Sequence, residues 1–328
     1  MIKKKILICD RFAIEAHVLL KKNSDFEVIL AQTPEHLAVH ITEANGILIR
    51  SKQKIDASFL AHAKKLEVIV TCTSGFDHID LVETKKRNIK VMFTPEANQV
   101  AAAELAWSLL LACVRYVPQA HHELKTKTWN REPYLGTELS GKILGVVGLG
   151  RIGSRVAIIA KAFGMQVLAF DPYCDDANFE NTQAERCSYD ELLKQADVVT
   201  FHVPSTKETK HMLNRIQFDM LSPTAIVINT SRGSAIHEDD LAEALRDKKI
   251  KAVGLDVFEK EPLDRTSKLL KLPNVIMTPH LGAYTEEAFY KASLQGATQI
   301  ENYFMKKQTE NELPLVNQWG SLSFQEGN

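Results

Sequence analysis

Lys142-Ile143-Leu144-Gly145-Val146-Val147-Gly148-Leu149-Gly150-Arg151-Ile152-Gly153 is the stretch that decides the fold of this 328-residue chain. An apolar run of strand length leads directly into three glycines, and a helical pattern from Ser154 to Phe163 follows, closed by Gly164. The glycines suit three separate tasks: a tight turn, close approach of backbone to a pyrophosphate, and close packing of helix on strand. The helix N-terminus adds N–H donors and a positive dipole end for phosphates. The next apolar run, Gln166-Val167-Leu168-Ala169-Phe170, ends in Asp171, 18 positions after Gly153. A carboxylate there accepts both ribose hydroxyls of NAD and repels the 2′-phosphate of NADP, which outweighs the nearby Arg151. The expectation is an NAD site built on Gly148, Gly150, Arg151, Ile152, Gly153 and Asp171.

Working outward, Ile143–Val147, Gln166–Ala169, Val198–His202, Ala225–Asn229, Ala252–Leu255 and Val275–Thr278 read as buried strands with helical patterns between them. That rhythm is a doubly wound sheet. An earlier series, Ile6–Cys9, Glu27–Leu30, Gly46–Ile49, Val68–Cys72 and Lys90–Phe93, repeats it over the first hundred residues, with helical periodicity in Pro34–Glu43 and Asp56–Lys64. A long helix, Val100 to Val117, separates the series and is expected to end at Pro118. A last helix, Glu286 to Lys306, precedes a polar tail and lets the chain return to its first part. The fold class is therefore α/β, with two doubly wound parallel-sheet domains. A Rossmann-like nucleotide domain (98–284) is inserted into a flavodoxin-like substrate domain made of 1–97 and 285–328.

Composition narrows the partners. With 40 Lys+Arg against 41 Asp+Glu, a net charge of -1 argues against nucleic acid or an anionic membrane surface. Lys3-Lys4-Lys5 reads as a solvated strand edge. No apolar stretch reaches transmembrane length, and the run at 6–9 stops at Asp10 and Arg11, which excludes a signal-peptide core. Five scattered cysteines (Cys9, Cys72, Cys113, Cys174, Cys187) without a C-x-x-C suit free thiols in a reducing cytoplasm. No pair of metal ligands stands at useful spacing, so no metal is expected. His121 and His122 read as solvated. The apolarity of Val100–Val117 around Trp107 exceeds what one face of a lone domain needs, which points to a symmetric dimer.

Three polar residues stand just beyond late strands, where a doubly wound sheet keeps its ligands. Arg232 lies in Asn229-Thr230-Ser231-Arg232-Gly233, Glu261 in Phe258-Glu259-Lys260-Glu261-Pro262, and His280 in Thr278-Pro279-His280-Leu281-Gly282. Hydride chemistry at a carbon bearing oxygen needs an acid/base for the oxygen's proton and a cation for the substrate's anionic end. A histidine backed by a carboxylate and an arginine fork supply both.

This order of glycine motif, Asp, Arg, Glu and His resembles the D-isomer-specific 2-hydroxyacid dehydrogenases over nearly the whole chain. The resemblance implies that His280 is the acid/base, Glu261 its partner, and Arg232 the residue that binds carboxylate and polarises the carbonyl. It also implies cofactor contacts from His202, Val203, Pro204, Thr209, Thr230, Ser231, Arg232, Asp256, His280 and Gly282. Arg50 and Ser51, after the strand Gly46–Ile49, and Ser74 and Gly75, after Val68–Cys72, match the family's substrate loops. Asn98 belongs to the substrate set, together with Arg232 and His280. Its motif runs to Glu104, with Ala102 in place of the usual valine.

Trp129-Asn130-Arg131, Tyr134–Leu139 and Pro279–Ala283 look closest to the members of the family that act on 3-phosphoglycerate in serine biosynthesis. A phosphate would account for Arg50, Lys52 and Lys54 at one loop, with Arg131 reaching across a dimer interface. The family's serine-responsive C-terminal regulatory domain is not expected beyond Leu313-Pro314-Leu315-Val316-Asn317. Two readings compete. A glyoxylate or hydroxypyruvate reductase needs the carboxylate grip without the phosphate site, and an NAD-sensing corepressor-like protein needs no intact Arg232–Glu261–His280 set.

Overall fold

The computed structural model describes residues 3–126 and 129–313. The chain divides into two compact units. One is made of the residues up to Asn98 and from Ala283 onward, the other of Gln99–Gly282.

The first unit holds strands β1 (Lys4–Ile8), β2 (Phe26–Leu30), β3 (Gly46–Ile49), β4 (Val68–Thr71) and β5 (Lys90–Phe93). They lie in the order β2-β1-β3-β4-β5, all parallel, which is the flavodoxin-like arrangement. Neighbouring residues of these strands feed opposite faces. Leu7, Ile47, Ile49, Ile69 and Val91 enter one core, while Ile6, Ile8, Leu48, Val70 and Met92 enter the other. Burial on both faces is why such strands read as continuous apolar runs rather than alternating ones. Asp56 and Thr285 cap the helices Ala57–His62 and Glu286–Lys306 through their side chains. The longer of these helices lies against β3 and β4.

The second unit holds β6 (Ile143–Val147), β7 (Gln166–Phe170), β8 (Glu185–Arg186), β9 (Val198–Phe201), β10 (Ile226–Asn229), β11 (Ala252–Leu255) and β12 (Val275–Met277). Their order, β8-β7-β6-β9-β10-β11-β12, is that of a Rossmann sheet. The strand order reverses between β6 and β9 here and between β1 and β3 in the first unit. Those switch points open crevices at the carboxyl ends, where ligands of such sheets bind.

Three sequence expectations change. The long helix spans Gln99–Arg115, and the break falls at Tyr116, whose φ is +55°. Pro118 does not terminate it but lies in the first turn of a further helix, Val117–Thr126, where its missing N–H costs no hydrogen bond. His121 and His122 are exposed on that second helix. The polar tail contributes a short strand, β13 (Glu312–Leu313), antiparallel to β5, so the first sheet is mixed at one edge. Finally, the apolarity of Gln99–Arg115 is consumed inside the second unit. Ala103, Ala106, Trp107, Leu110 and Val114 are buried, and the helix lies against β10, β11 and the helix Arg151–Ala162. Among the described residues no single helix is long and apolar enough to cross a membrane.

Candidate active site

The glycine turn sits at the switch point of the second sheet. Gly148 has φ +90°, and a side chain there would come within 2.6 Å of the His202 carbonyl oxygen at the end of β9. A side chain on Gly153 would overlap the Gly148 carbonyl, whereas one on Gly150 would meet nothing within 4 Å. The backbone is thus closed on the protein side and open outward. The helix Arg151–Ala162 starts at Gly150 without a side-chain cap, which leaves the N–H groups of its first turn, Arg151 and Ile152 among them, for an anionic ligand.

The peptide of Leu149, in the middle of the motif, is fixed at both ends. Its N–H donates to Asp171 Oδ2 at 2.9 Å. Its carbonyl accepts from Ser154 Oγ at 2.9 Å and from Asn178 Nδ2. Asp171 Oδ1 takes the Tyr173 N–H at 3.0 Å, so this buried carboxylate is oriented by two main-chain donors and retains lone pairs for hydroxyl groups. Two further polar atoms at sequence-predicted cofactor positions, His202 Nδ1 and Thr230 Oγ1, are buried without a partner. The other ring nitrogen of His202 meets Thr200 Oγ1 at 2.9 Å, and burial lowers its pKa to about 3, so the ring is neutral. Val203 and Thr209 are buried, and Thr209 Oγ1 donates to the Pro204 carbonyl at 2.6 Å, shaping the turn after β9. A carboxylate for ribose, uncapped N–H groups for pyrophosphate and orphaned polar atoms beside them fit a dinucleotide.

The second cluster lies beyond β10, β11 and β12. Asn229, the last residue of β10, is buried and accepts from the Ser231 N–H (3.0 Å) and hydroxyl (2.8 Å), while its amide donates to the Arg232 carbonyl at 2.9 Å. This compact turn presents Arg232, whose Nη1 donates to the Ser231 carbonyl at 2.7 Å. Gly233 follows because its backbone lies against the Phe258–Glu259 peptide, where any Cβ would overlap. Glu261 Oε1 accepts the Phe258 N–H at 3.0 Å, and Glu261 Oε2 lies 2.7 Å from His280 Nδ1.

Asp256 is fully buried. It accepts from Thr278 Oγ1 (2.6 Å), Leu281 N–H (2.7 Å) and Gly282 N–H (2.8 Å), and so holds the loop in which His280 adopts φ +54°. A positive φ at a non-glycine residue is uncommon and needs such anchoring.

Electrostatics tune the pair. Its hydrogen bond to Glu261 raises the His280 pKa, against burial, and the charges of Glu261 and Asp256 add to the rise while Arg232 opposes it. Burial pushes the Glu261 carboxyl up. Hydrogen bonds from His280 and the Phe258 N–H, with the charges of His280 and Arg232, outweigh that and leave it below its usual value. Arg232, Glu261 and His280 therefore interact as one cluster.

In the first unit, Ser74 and Gly75 form a loop after β4. Thr73 Oγ1 donates to the Gly75 carbonyl at 2.6 Å, and Ser74 Oγ bonds Asn98 Oδ1. Arg50 stands at that sheet's switch point, its N–H given to the buried Asp10 Oδ2 at 2.6 Å, and Ser51 beside it is exposed. Lys54 is exposed. Its ammonium pairs with Asp56 at 3.5 Å, the residue that caps the next helix. Lys52 is exposed. Burial pushes all five thiols up, Cys113 to about 12, which leaves none suited to nucleophilic work. Pro314-Leu315-Val316-Asn317 lies outside the described residues.

Sequence reasoning missed Asn229, Gly233 and Asn178. Asn229 and Gly233 flank the Arg232 turn, and a polar residue closing an apolar strand was the available signal for the first. Nothing local marks Asn178, which reaches the glycine loop from a helix 29 positions on.

Residues 107–282 match the family model described as D-isomer specific 2-hydroxyacid dehydrogenase, NAD binding domain. The chain is 40% identical over 314 residues to D-3-phosphoglycerate dehydrogenase of Methanocaldococcus jannaschii, covering 95% of this chain and 60% of that protein. It is 37% identical over 302 residues to hydroxypyruvate reductase of Thermotoga maritima, covering 90% and 96%. The chain spans only 54% to 60% of the length of the first phosphoglycerate dehydrogenases it matches. Among solved structures, D-lactate dehydrogenase of Aquifex aeolicus, complexed with NAD and lactic acid, superposes with a TM-score of 0.81 at 29% identity, covering 99% of this chain and 98% of that one.

Proposed function

Because the chain belongs to the D-isomer-specific 2-hydroxyacid dehydrogenase family, we propose that it interconverts a D-2-hydroxy acid and its 2-oxo acid with NAD, and that the acid is 3-phosphoglycerate. The observation that carries the chemistry is the His280–Glu261 contact beside Arg232. Bound NAD supplies the hydride acceptor or donor. With Nδ1 of His280 engaged by Glu261, Nε2 is the atom that takes the hydroxyl proton in oxidation and returns it in reduction. Arg232 binds the carboxylate and polarises the carbonyl through a planar fork of donors. The Ser74-Gly75 loop, Asn98, Arg50 and Ser51 contribute to holding the substrate, and the unit carrying them is the substrate-binding domain.

The phosphorylated substrate is supported by the similarity to D-3-phosphoglycerate dehydrogenases, and the rival reading by the similarity to a hydroxypyruvate reductase. Following NADH absorbance with 3-phosphohydroxypyruvate, hydroxypyruvate, glyoxylate and 2-oxoglutarate decides between them. The phosphorylated compound should give the highest kcat/KM. A preference for hydroxypyruvate removes the phosphoglycerate assignment, and no turnover with any of the four removes the enzyme reading.

A homodimer is part of the same reading. In the segment after the buried helix, Val117, Leu124, Trp129 and Leu135 expose apolar side chains, the last two at 84% and 87%. Four large apolar side chains left in water within one segment are what an interface would cover. Light scattering should give twice the chain mass, and Trp129→Glu should lower it.

A further inference from the structure

His211 lies in the segment after β9, just past the turn that Thr209 shapes, and its backbone is left-handed, with φ +51°. Such a φ is uncommon away from glycine and persists where the surroundings hold it. One hold is main-chain. The His211 N–H donates at 2.7 Å to the carbonyl of Ser234, two residues beyond Arg232. The pairing continues with the Leu213 N–H on the Ala235 carbonyl (3.1 Å) and the His237 N–H on the Leu213 carbonyl (3.0 Å). The Asn214 amide closes the bend by donating to the His211 carbonyl at 3.0 Å.

The other hold is the side chain. Nε2 of His211 meets Oε1 of Glu259, in the turn that carries Glu261. A carboxylate only accepts, so Nε2 carries the proton. Oε2 of Glu259 takes the Glu238 N–H at 3.3 Å, and the Glu259 N–H donates in return to Glu238 Oε1 at 2.6 Å. The ring of His237 meets that of His211 edge-on, with centres 4.7 Å apart, and accepts the Asp240 N–H at 3.3 Å. Glu259 is thus tied to two other elements, and two positions on stands Glu261, whose carboxylate holds His280. The side chains of His211 and Glu259 are 31% and 32% exposed, so their pairing contributes little to stability, and its consequence is one of aim.

Resting on the chemistry proposed above, we infer that His211 is a positioning residue of the catalytic cluster. Its main chain is joined to the Arg232 turn and its ring to the Glu261 turn, so one residue from the cofactor side sets the spacing of the arginine and the acid/base pair.

The test compares His211→Asn and His211→Gln with the full-length wild type in reduction of the preferred oxo acid. Asparagine accepts the left-handed backbone but is too short to reach Glu259. Glutamine can place an amide donor where Nε2 stands, and Gln183 already adopts φ +52° in this chain. In His211→Asn kcat should fall about tenfold, as a displacement of less than 1 Å implies, while NADH affinity stays within about threefold. The reduction limb of the pH profile should move about half a pH unit lower, because a loosened Glu261 raises the His280 pKa less. The charges that act on His280 directly are those of Glu261, Asp256 and Arg232, so the move reports Glu261 and not the loss of an imidazole at 211. His211→Gln should recover most of both effects. Glu259→Ala should match His211→Asn, and the double variant should fall no further, since both changes break one contact. Unchanged kcat and limb in His211→Asn, or losses that multiply in the double variant, overturn the positioning role. His280→Asn at wild-type kcat overturns instead the chemistry on which it rests.

Discussion

Nδ1 of His280 lies 2.7 Å from Oε2 of Glu261, and the other oxygen of that carboxylate takes the Phe258 N–H at 3.0 Å. The glutamate is thus held by the turn after β11 and in turn fixes the tautomer and orientation of a ring carried by the turn after β12. The arrangement couples two loops through one proton-bearing contact. In the proposed mechanism it divides the work of the imidazole, with one nitrogen for orientation and the other for exchange.

Replacing Glu261 by Gln should lower the His280 pKa, because the hydrogen bond and charge that raise it are weakened. In the proposed mechanism, reduction of the oxo acid needs the protonated ring, so its activity falls as pH rises through that pKa. Oxidation needs the neutral ring, so its activity appears as pH rises through the same value. Both limbs should move to lower pH in the variant. Profiles of kcat/KM measured in the two directions check this, and limbs that stay in place exclude Glu261 as the tuning group.

His280→Asn should reduce kcat by about 10² to 10⁴ through loss of the proposed general acid/base. Asparagine accepts the left-handed backbone that His280 adopts, so the loop held by Asp256 should survive and the loss belongs to the ring. NADH binding, followed by fluorescence titration, should change by less than about threefold, far less than kcat. A variant with near-normal kcat would remove His280 from proton transfer.

Much of this arrangement was legible in the sequence, and the limits have physical causes. Parallel strands buried on both faces leave continuous apolar runs, which is why β6 and β9 to β12 could be placed to within a residue or two. The two-residue edge strands could not, because Glu185-Arg186 and Glu312 are polar residues suited to an exposed edge. Pro118 misled because proline is as welcome in a first helical turn as it is disruptive in the interior. Arg232, Glu261 and His280 declared themselves by standing just past strand ends. Gly233 and Asn178 act through contacts with backbone far away in sequence, and no local pattern records such contacts.

Asp171 carries two tasks, so its replacement should have two effects. Asp171→Ala removes the carboxylate proposed to receive the ribose hydroxyls, and the preference for NAD over NADP should shrink at least tenfold. It also strips the Leu149 and Tyr173 N–H groups of their acceptor, at about 1–3 kcal/mol for each left buried and unpaired. For a unit of this size that is a fall in Tm of roughly 2–4 °C per kcal/mol. Kinetics with both cofactors and a thermal melt of the unliganded protein separate the tasks. Lost preference with an unchanged melt would show that the glycine turn does not depend on Asp171.

Gly233→Ala tests whether the Arg232 turn and the Glu261 turn form one rigid frame. A Cβ on residue 233 would overlap the carbonyl group of Phe258 and crowd the Glu259 nitrogen, so one turn must move away from the other. Overpacking of this kind costs about 1–3 kcal/mol and shifts backbone locally. The shift falls between the proposed carboxylate-binding arginine and the acid/base pair, and a displacement of about 1 Å there lowers kcat by about 10². The glycine motif lies at a different strand end, so NADH should bind nearly as tightly as before. Full kcat in Gly233→Ala would mean that Arg232 and the Glu261–His280 pair are positioned independently.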